Sequence, residues 1–220
     1  MGKRGLTRLS STNSLSGIIP AGNVANSTLN NITAIPSVIL TGMPELLSTQ
    51  TASNSASIEF TSGIDSTYDI YKFEFVNMHP ATNDVRFQVN FSTDSGSNYN
   101  VTKTTTQFQA FHKEDGTSTA LQYTTTDDLA QSTSNQQLSG LQYNNDDSSS
   151  SGSMFLFQPS STTFVKHFIA RLNYMFRAGF SIDLHTAGYC NTTSAVDAVK
   201  FVMSSGNIET GTIKMYGISG

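Results

Sequence analysis

Cysteine occurs once, as Cys190, in 220 residues, which excludes an internal disulfide framework and leaves stability to the core or to oligomerisation. Tryptophan is absent, so the ring best suited to stacking on sugars is missing. Charged residues make up 13% of the chain, against about 25% in ordinary globular domains. A net charge of -4 and a pI near 5.4 provide no basic face of the kind that nucleic acid needs. The local exception is the start, where Lys3, Arg4 and Arg8 cluster. No apolar run approaches the length of a membrane-spanning helix. The longest early run, Ile18-Ile19, is closed by Pro20, so no secretory h-region follows the basic start. Leu6 stands where N-myristoylation requires Ser or Thr. These absences predict a protein made and folded in a cytoplasm, with neither nucleic acid nor membrane as partner. Heptads are missing, which excludes a long coiled-coil shaft, and the lack of a self-similar period disfavours a solenoid or propeller.

In place of charge stand Ser, Thr and Asn, about a third of the chain. Short uncharged side chains are poor helix formers and suit strands, turns and hydrogen-bonded loops. The clearest pattern runs from Ser57 to Asp94. Val85, Phe87, Val89 and Phe91 alternate with Arg86, Gln88 and Asn90, while Tyr71, Phe73 and Phe75 share a face opposite Lys72 and Glu74. That is the period of a strand with one buried face. With Ser57–Thr61 ahead and turn-rich clusters between, the stretch reads as an antiparallel meander whose apolar side needs a second sheet over it. Glu45–Thr51 reads as the first strand. Tyr99–His112 has Val101, Phe108 and Phe111 as its apolar points, and Ala120–Thr124 is a short strand. Thr125–Ser153 reads mostly as loop. Met154–Phe157 is a continuous apolar run, predicting a strand buried on both faces. Phe164–Phe176 alternates Phe168, Ala170, Leu172, Tyr174 and Phe176 with a polar set containing Lys166, His167, Arg171 and Asn173. Ser181–Tyr189 alternates likewise. Ala195–Met203 and Gly211–Ile218 read as a hairpin around Ser204–Asn207. About eight to ten strands and no helix predict an all-β, jelly-roll-type two-sheet β-sandwich over residues 45–220.

Residues 1–44 are different. They are rich in Gly, Ser and Asn, lack aromatics, are broken by Pro20, Pro36 and Pro44, and sustain no apolar period. Such a segment buries too little to fold alone. It is predicted to be an extended N-terminal attachment arm, with Lys3, Arg4, Arg8, Ile18, Ile19, Leu29, Ile32 and Ile35 as its anchoring residues.

Catalytic parts are scarce. There is no Gly-x-Ser-x-Gly elbow, and Cys190 follows Tyr189 far from any histidine, so a small strand-end residue is the simpler reading than a nucleophile. Gly-rich phosphate loops are missing, and no cofactor is expected. The four histidines, His79, His112, His167 and His185, show no metal-ligand spacing, although the pattern allows His167 and His185 to meet across adjacent strands or around a threefold axis. The acidic pairs Asp127-Asp128 and Asp146-Asp147 fail the calcium-loop pattern and read as solvated turns. A sugar platform is the more serious reading. Tyr99, Tyr123 and Tyr143 lie in or beside polar loops and are the candidate glycan contacts, against the plainer reading of core-edge tyrosines.

The strings Ile58–Tyr68, Asn77–Thr82, Pro159–His167 and Met203–Ile213, with Gly22–Pro36 in the arm, resemble virion structural proteins of tailed bacteriophages, marine ones especially. The similarity is to the capsid-decoration and fibre-like group. They are turn and strand residues, so the resemblance implies a class and no active residue. It implies a homotrimeric, surface-exposed sandwich head that an N-terminal arm attaches to other virion proteins of capsid or tail. The implied location is the virion, assembled in the bacterial host cytoplasm. The expected function is therefore non-enzymatic, as capsid decoration, cement or head fibre. The alternative is a tail-fibre adhesin that reads a host-surface glycan.

Overall fold

A computed structural model describes residues 42–219. All the strands within this range pair antiparallel, and they form two sheets. In chain order the strands are β1 (Glu45–Ser55), β2 (Ile58–Phe60), β3 (Ile70–Pro80), β4 (Phe87–Ser92), β5 (Lys103–Lys113) and β6 (Thr119–Tyr123). They continue with β7 (Gln136–Gln137), β8 (Ser150–Phe157), β9 (Lys166–Phe176), β10 (Phe180–Cys190), β11 (Ala198–Met203) and β12 (Ile208–Ile218). The large sheet runs β1-β12-β3-β8-β9-β10-β5-β6 and the small one β2-β11-β4-β7. Without the hairpins β5–β6 and β9–β10, the remaining eight strands read β1-β12-β3-β8 over β2-β11-β4-β7. That interleaving is the double Greek key of a jelly roll. The expected all-β sandwich is therefore present, with two hairpins added to one edge of one sheet.

Two expected pairings are corrected. The Ser57–Asp94 stretch is not a meander: β2 pairs with β11, β3 with β12 and β8, and β4 with β11 and β7. Consecutive strands cross between the sheets, so their apolar faces meet across the core and not side by side. Likewise β11 and β12 lie in different sheets, and Ser204–Asn207 is an arch between them, not a hairpin turn. Alternation fixes which side chains are buried and is silent about the neighbour.

Phe201 on β11 sits where the faces meet. Its ring centroid lies 5.4 Å from Phe73, 5.2 Å from Phe75, 5.8 Å from Phe87 and 6.3 Å from Phe60. Four fully or nearly fully buried rings thus surround a fifth, Phe60 and Phe87 from its own sheet and Phe73 and Phe75 from the opposing one, each such contact adding to the burial term. Phe91 on β4 reaches Phe168 on β9 at 5.1 Å, tying the added hairpin to the same core. Met154–Phe157, expected to be buried on both faces, buries only Met154 and Leu156; Phe155 and Phe157 are half-exposed on the outer side of the large sheet. The sandwich has one interior, and the outer face of this sheet has nothing above it among the described residues.

Candidate functional site

The large sheet is four strands wider than the small one. At about 4.8 Å per strand, roughly 19 Å of inner face extends past the small sheet and needs other cover. The segment between β6 and β8 supplies it. Its polar backbone is met by a polar sheet face. Lys103, Thr105 and Gln107 of β5 and Thr186 of β10 are buried. Gln107 Nε2 donates to Gln137 O (3.0 Å) and Thr186 Oγ1 (2.8 Å), and Thr105 Oγ1 donates to Gln136 Oε1 (2.6 Å). Gln136 Nε2 in turn donates to Asp127 O (3.0 Å), while the Thr124 N–H donates to Gln107 O (3.0 Å). Buried polar groups that satisfy one another in this way pin the loop to the sheet, with Gln137 Oε1 left without a partner. Of the expected apolar points of this stretch Val101 is buried and Phe111 packs at the second cluster, but Phe108 is corrected: it points outward and is 43% exposed.

Beyond that network the cover stops short and leaves a cleft of about 250 Å³. Its floor is the second hydrophobic cluster, in which Tyr174, Ile182 and Leu184 are buried and Phe111, Phe176 and Phe180 are partly open. Phe180 stands edge-on to Phe111 (5.5 Å, 80°) and to Phe176 (6.0 Å, 76°). The Tyr174 hydroxyl is hydrogen-bonded to the Gly140 backbone, and burial pushes its pKa upward. On the rim, Gln109 and Gln122 face each other across the β5–β6 ladder. The opposite wall carries Arg86, just ahead of β4, and Asp127. Arg86 is anchored through its backbone, its N–H donating to Ser204 Oγ (3.0 Å) and its carbonyl accepting from the Ser204 N–H (2.8 Å). Its guanidinium lies 3.8 Å from Asp127 Oδ1, beyond hydrogen-bond range. Arg86 Nε is shielded and has no partner. The cleft thus combines an aromatic floor, two amides and a loosely apposed pair of opposite charges.

The three candidate tyrosines do not share this site. Tyr99 donates its hydroxyl to Glu59 Oε2 (3.0 Å) and carries Lys200 Nζ 4.3 Å from its ring centroid; burial, then Glu59, raises its pKa. That ring is already engaged by a cation. Tyr123 is 50% exposed on the outer face, opposite Phe108, with its hydroxyl on Asp128 (2.5 Å). Tyr143 is half-buried, and its N–H donates to Ser148 Oγ (3.2 Å). Residues 1–41, with the anchoring set Lys3, Arg4, Arg8, Ile18, Ile19, Leu29, Ile32 and Ile35, lie outside the described residues.

Three other groupings bear on chemistry. Cys190, at the end of β10, is flanked in register by Lys103 and Lys166, and all three are fully buried. Lys166 therefore shares the face of Phe168, not the polar face assigned to it from sequence. Lys103 Nζ donates to Asn90 Oδ1 (2.6 Å) and Val101 O (2.7 Å), and Lys166 Nζ to Phe164 O (2.9 Å) and Thr192 O (3.1 Å). Burial lowers the Lys103 pKa to about 8 and raises that of Cys190 to about 12, so the thiol keeps its proton at neutral pH and is a poor nucleophile. His167 and His185 do not meet across the β9–β10 ladder: register places His167 opposite Tyr189 and His185 opposite Arg171. His79 bridges Ser148 O and Glu209 Oε2, the latter at 3.2 Å. Among the described residues, no three His, Cys, Asp or Glu side chains come together as a metal set.

Sequence reasoning missed the cleft residues. Arg86 reads as the wet side of a strand and Asp127 as a solvated turn. The available signal was the run of Thr and Gln at alternate positions in β5, a face polar where a sandwich strand should be apolar. No protein-family model matches the chain, and no curated protein or solved structure matches it either.

Proposed function

We propose that this chain is a non-enzymatic structural protein of a bacteriophage virion, exposed on the particle as capsid decoration, cement or head fibre. In this reading its N-terminal arm, residues 1–44, holds it to other virion proteins, and it assembles as a homotrimer. The observation that carries the reading is the interleaved order β1-β12-β3-β8 over β2-β11-β4-β7, an architecture that recurs in viral capsid and lectin domains. The warrant is one of architecture and composition, joined to the resemblance of the turn and strand strings to phage structural proteins. A tail-fibre adhesin is the second reading, and the aromatic-floored cleft favours it.

The test is removal of residues 1–44. Anchoring through Ile18, Ile19, Leu29, Ile32 and Ile35 would draw on about 1.5 to 3 kcal/mol for each aliphatic buried against a partner. The truncated chain is expected to unfold cooperatively and to be missing from purified particles. Incorporation at the normal level would overturn the anchoring role. A density map of the particle then decides between head and tail, and light scattering of the full chain reads the number of 23.7 kDa copies.

A further inference from the structure

We propose that the cleft at the end of the large sheet binds one pyranose ring of a neutral saccharide. The added hairpins and the β6–β8 segment create this cavity, and the jelly roll has no structural need of it. At about 250 Å³ it is smaller than the ~300 to 1,000 Å³ of sites for drug-sized ligands, a size for one ring and not for an extended chain. A pyranose presents a C–H face and a rim of hydroxyls. The floor offers Phe111 and Phe180, part-exposed and edge-to-face at 5.5 Å, to the first; Lys113 Nζ, paired with Asp115 (2.6 Å), reaches only to 5.9 Å from the Phe180 ring centroid. The walls offer Gln109, Gln122, Arg86 and Asp127 to the second.

Planar amide, guanidinium and carboxylate groups each engage two neighbouring hydroxyls at once, which fixes ring orientation. Much of their capacity here is unspent, Asp127 Oδ1 accepting only from Thr126 Oγ1 (3.2 Å). Arg86 and Asp127 stand 3.8 Å apart without a hydrogen bond, and Arg86 Nε, shielded from water, has no partner in the protein. A buried donor left open in this way costs stability unless something fills it. The same pair sets the ligand's charge. The lining holds one cation and one anion, so a phosphate or carboxylate drawn to Arg86 meets Asp127 beside it. A peptide strand is a poorer fit, because it would add to the free edge of β6 and not enter the cavity. A pyranose site is compatible with either position on a particle, so its failure and that of the virion reading are separate outcomes.

The experiment is saturation-transfer NMR on the full chain with the methyl glycosides of glucose, galactose and N-acetylglucosamine. At least one is expected to receive saturation at its ring C–H protons, with Kd on the order of 1 mM. Gln122→Ala, at an exposed position, and Arg86→Lys, which keeps the charge and loses the fork, should each weaken binding about tenfold or more. Tyr123→Ala, on the other face of β6, should leave it unchanged. Thermal midpoints of all three variants serve as the check that folding is intact. No saturation with any of the three glycosides would overturn the proposal. Binding that survives both cleft variants would do the same, and so would displacement of the glycoside by inorganic phosphate, which would mark an anion site.

Discussion

Lys103, Cys190 and Lys166 form a row of three buried, titratable groups across β5, β10 and β9. Two amines of one sign beside a thiol are kept soluble in the interior only by carbonyl acceptors, and a carbonyl compensates a charge less well than a carboxylate does. The Lys103 pKa accordingly falls from 10.5 to about 8, with burial as the main cause. The sign follows from proton counts. Below about pH 8 both folded and unfolded chains hold the proton, and folding bears the full cost of burying the charge. Above it the folded chain releases the proton while the unfolded chain keeps it, so stability rises with pH. Cys190, raised from 9.0 to about 12, works in the opposite direction above pH 9, where only the unfolded chain ionises. We therefore expect the thermal midpoint to climb between about pH 8 and 9 and then level off or fall. Burial lowers the Lys166 pKa as well, in the same sense, so Lys103→Met should shrink the climb and not remove it. A midpoint that declines steadily from pH 7 in the parent would show that Lys103 is neutral or solvated from the start.

At the scale of elements, the seam between β8 and β9 joins the jelly roll to its added strands. Gly152 lies in that seam, opposite Phe75 on one side and Leu172 on the other. A Cβ at this position would meet the Arg171 carbonyl oxygen and stand 2.7 Å from Leu172 Cα. Both are backbone atoms, so β9 itself would have to move. Gly152→Ala is expected to cost about 1 to 3 kcal/mol through overpacking, read from a denaturant midpoint against Ser153→Ala. Equal midpoints would mean that the two strands part without penalty. The strands themselves were legible in the sequence: Val85–Phe91 and Phe168–Tyr174 bury the alternate residues that their period marks, while Phe176 stays part-open and Asn90, expected on the wet side, is buried where it accepts from Lys103 Nζ. Their partners were not, because neither a two-residue period nor a turn signal at Ser204–Asn207 says whether the chain returns beside itself or crosses to the other sheet. The cleft was hidden for a related reason. The buried face of β5 carries Lys103, Thr105 and Gln107, and Phe108 faces outward, so hydropathy pointed to the wrong side. Only the matching polar groups of the covering segment, Gln136 and Gln137, make that burial tolerable.

For the whole molecule, the order of strands has a kinetic consequence. Every ladder within the jelly roll joins segments distant in the chain: β1 to β12, β12 to β3, β3 to β8, β2 to β11, β11 to β4 and β4 to β7. The ladders between chain neighbours are β5–β6, β8–β9 and β9–β10, and each of these involves an added hairpin. Closing a long loop costs entropy before any contact repays it, whereas a hairpin forms in roughly 1 to 10 μs. The strands that look like an appendage are thus the first able to form, and the Phe201 cluster, which needs β11 brought back across most of the chain onto β2, β3 and β4, is among the last. In a φ-value experiment, Ile182→Val on β10 should give a value well above that of Phe201→Leu. If Phe201 gave the higher value, the jelly-roll half of the sandwich would be the nucleus and the hairpins would zip on afterwards.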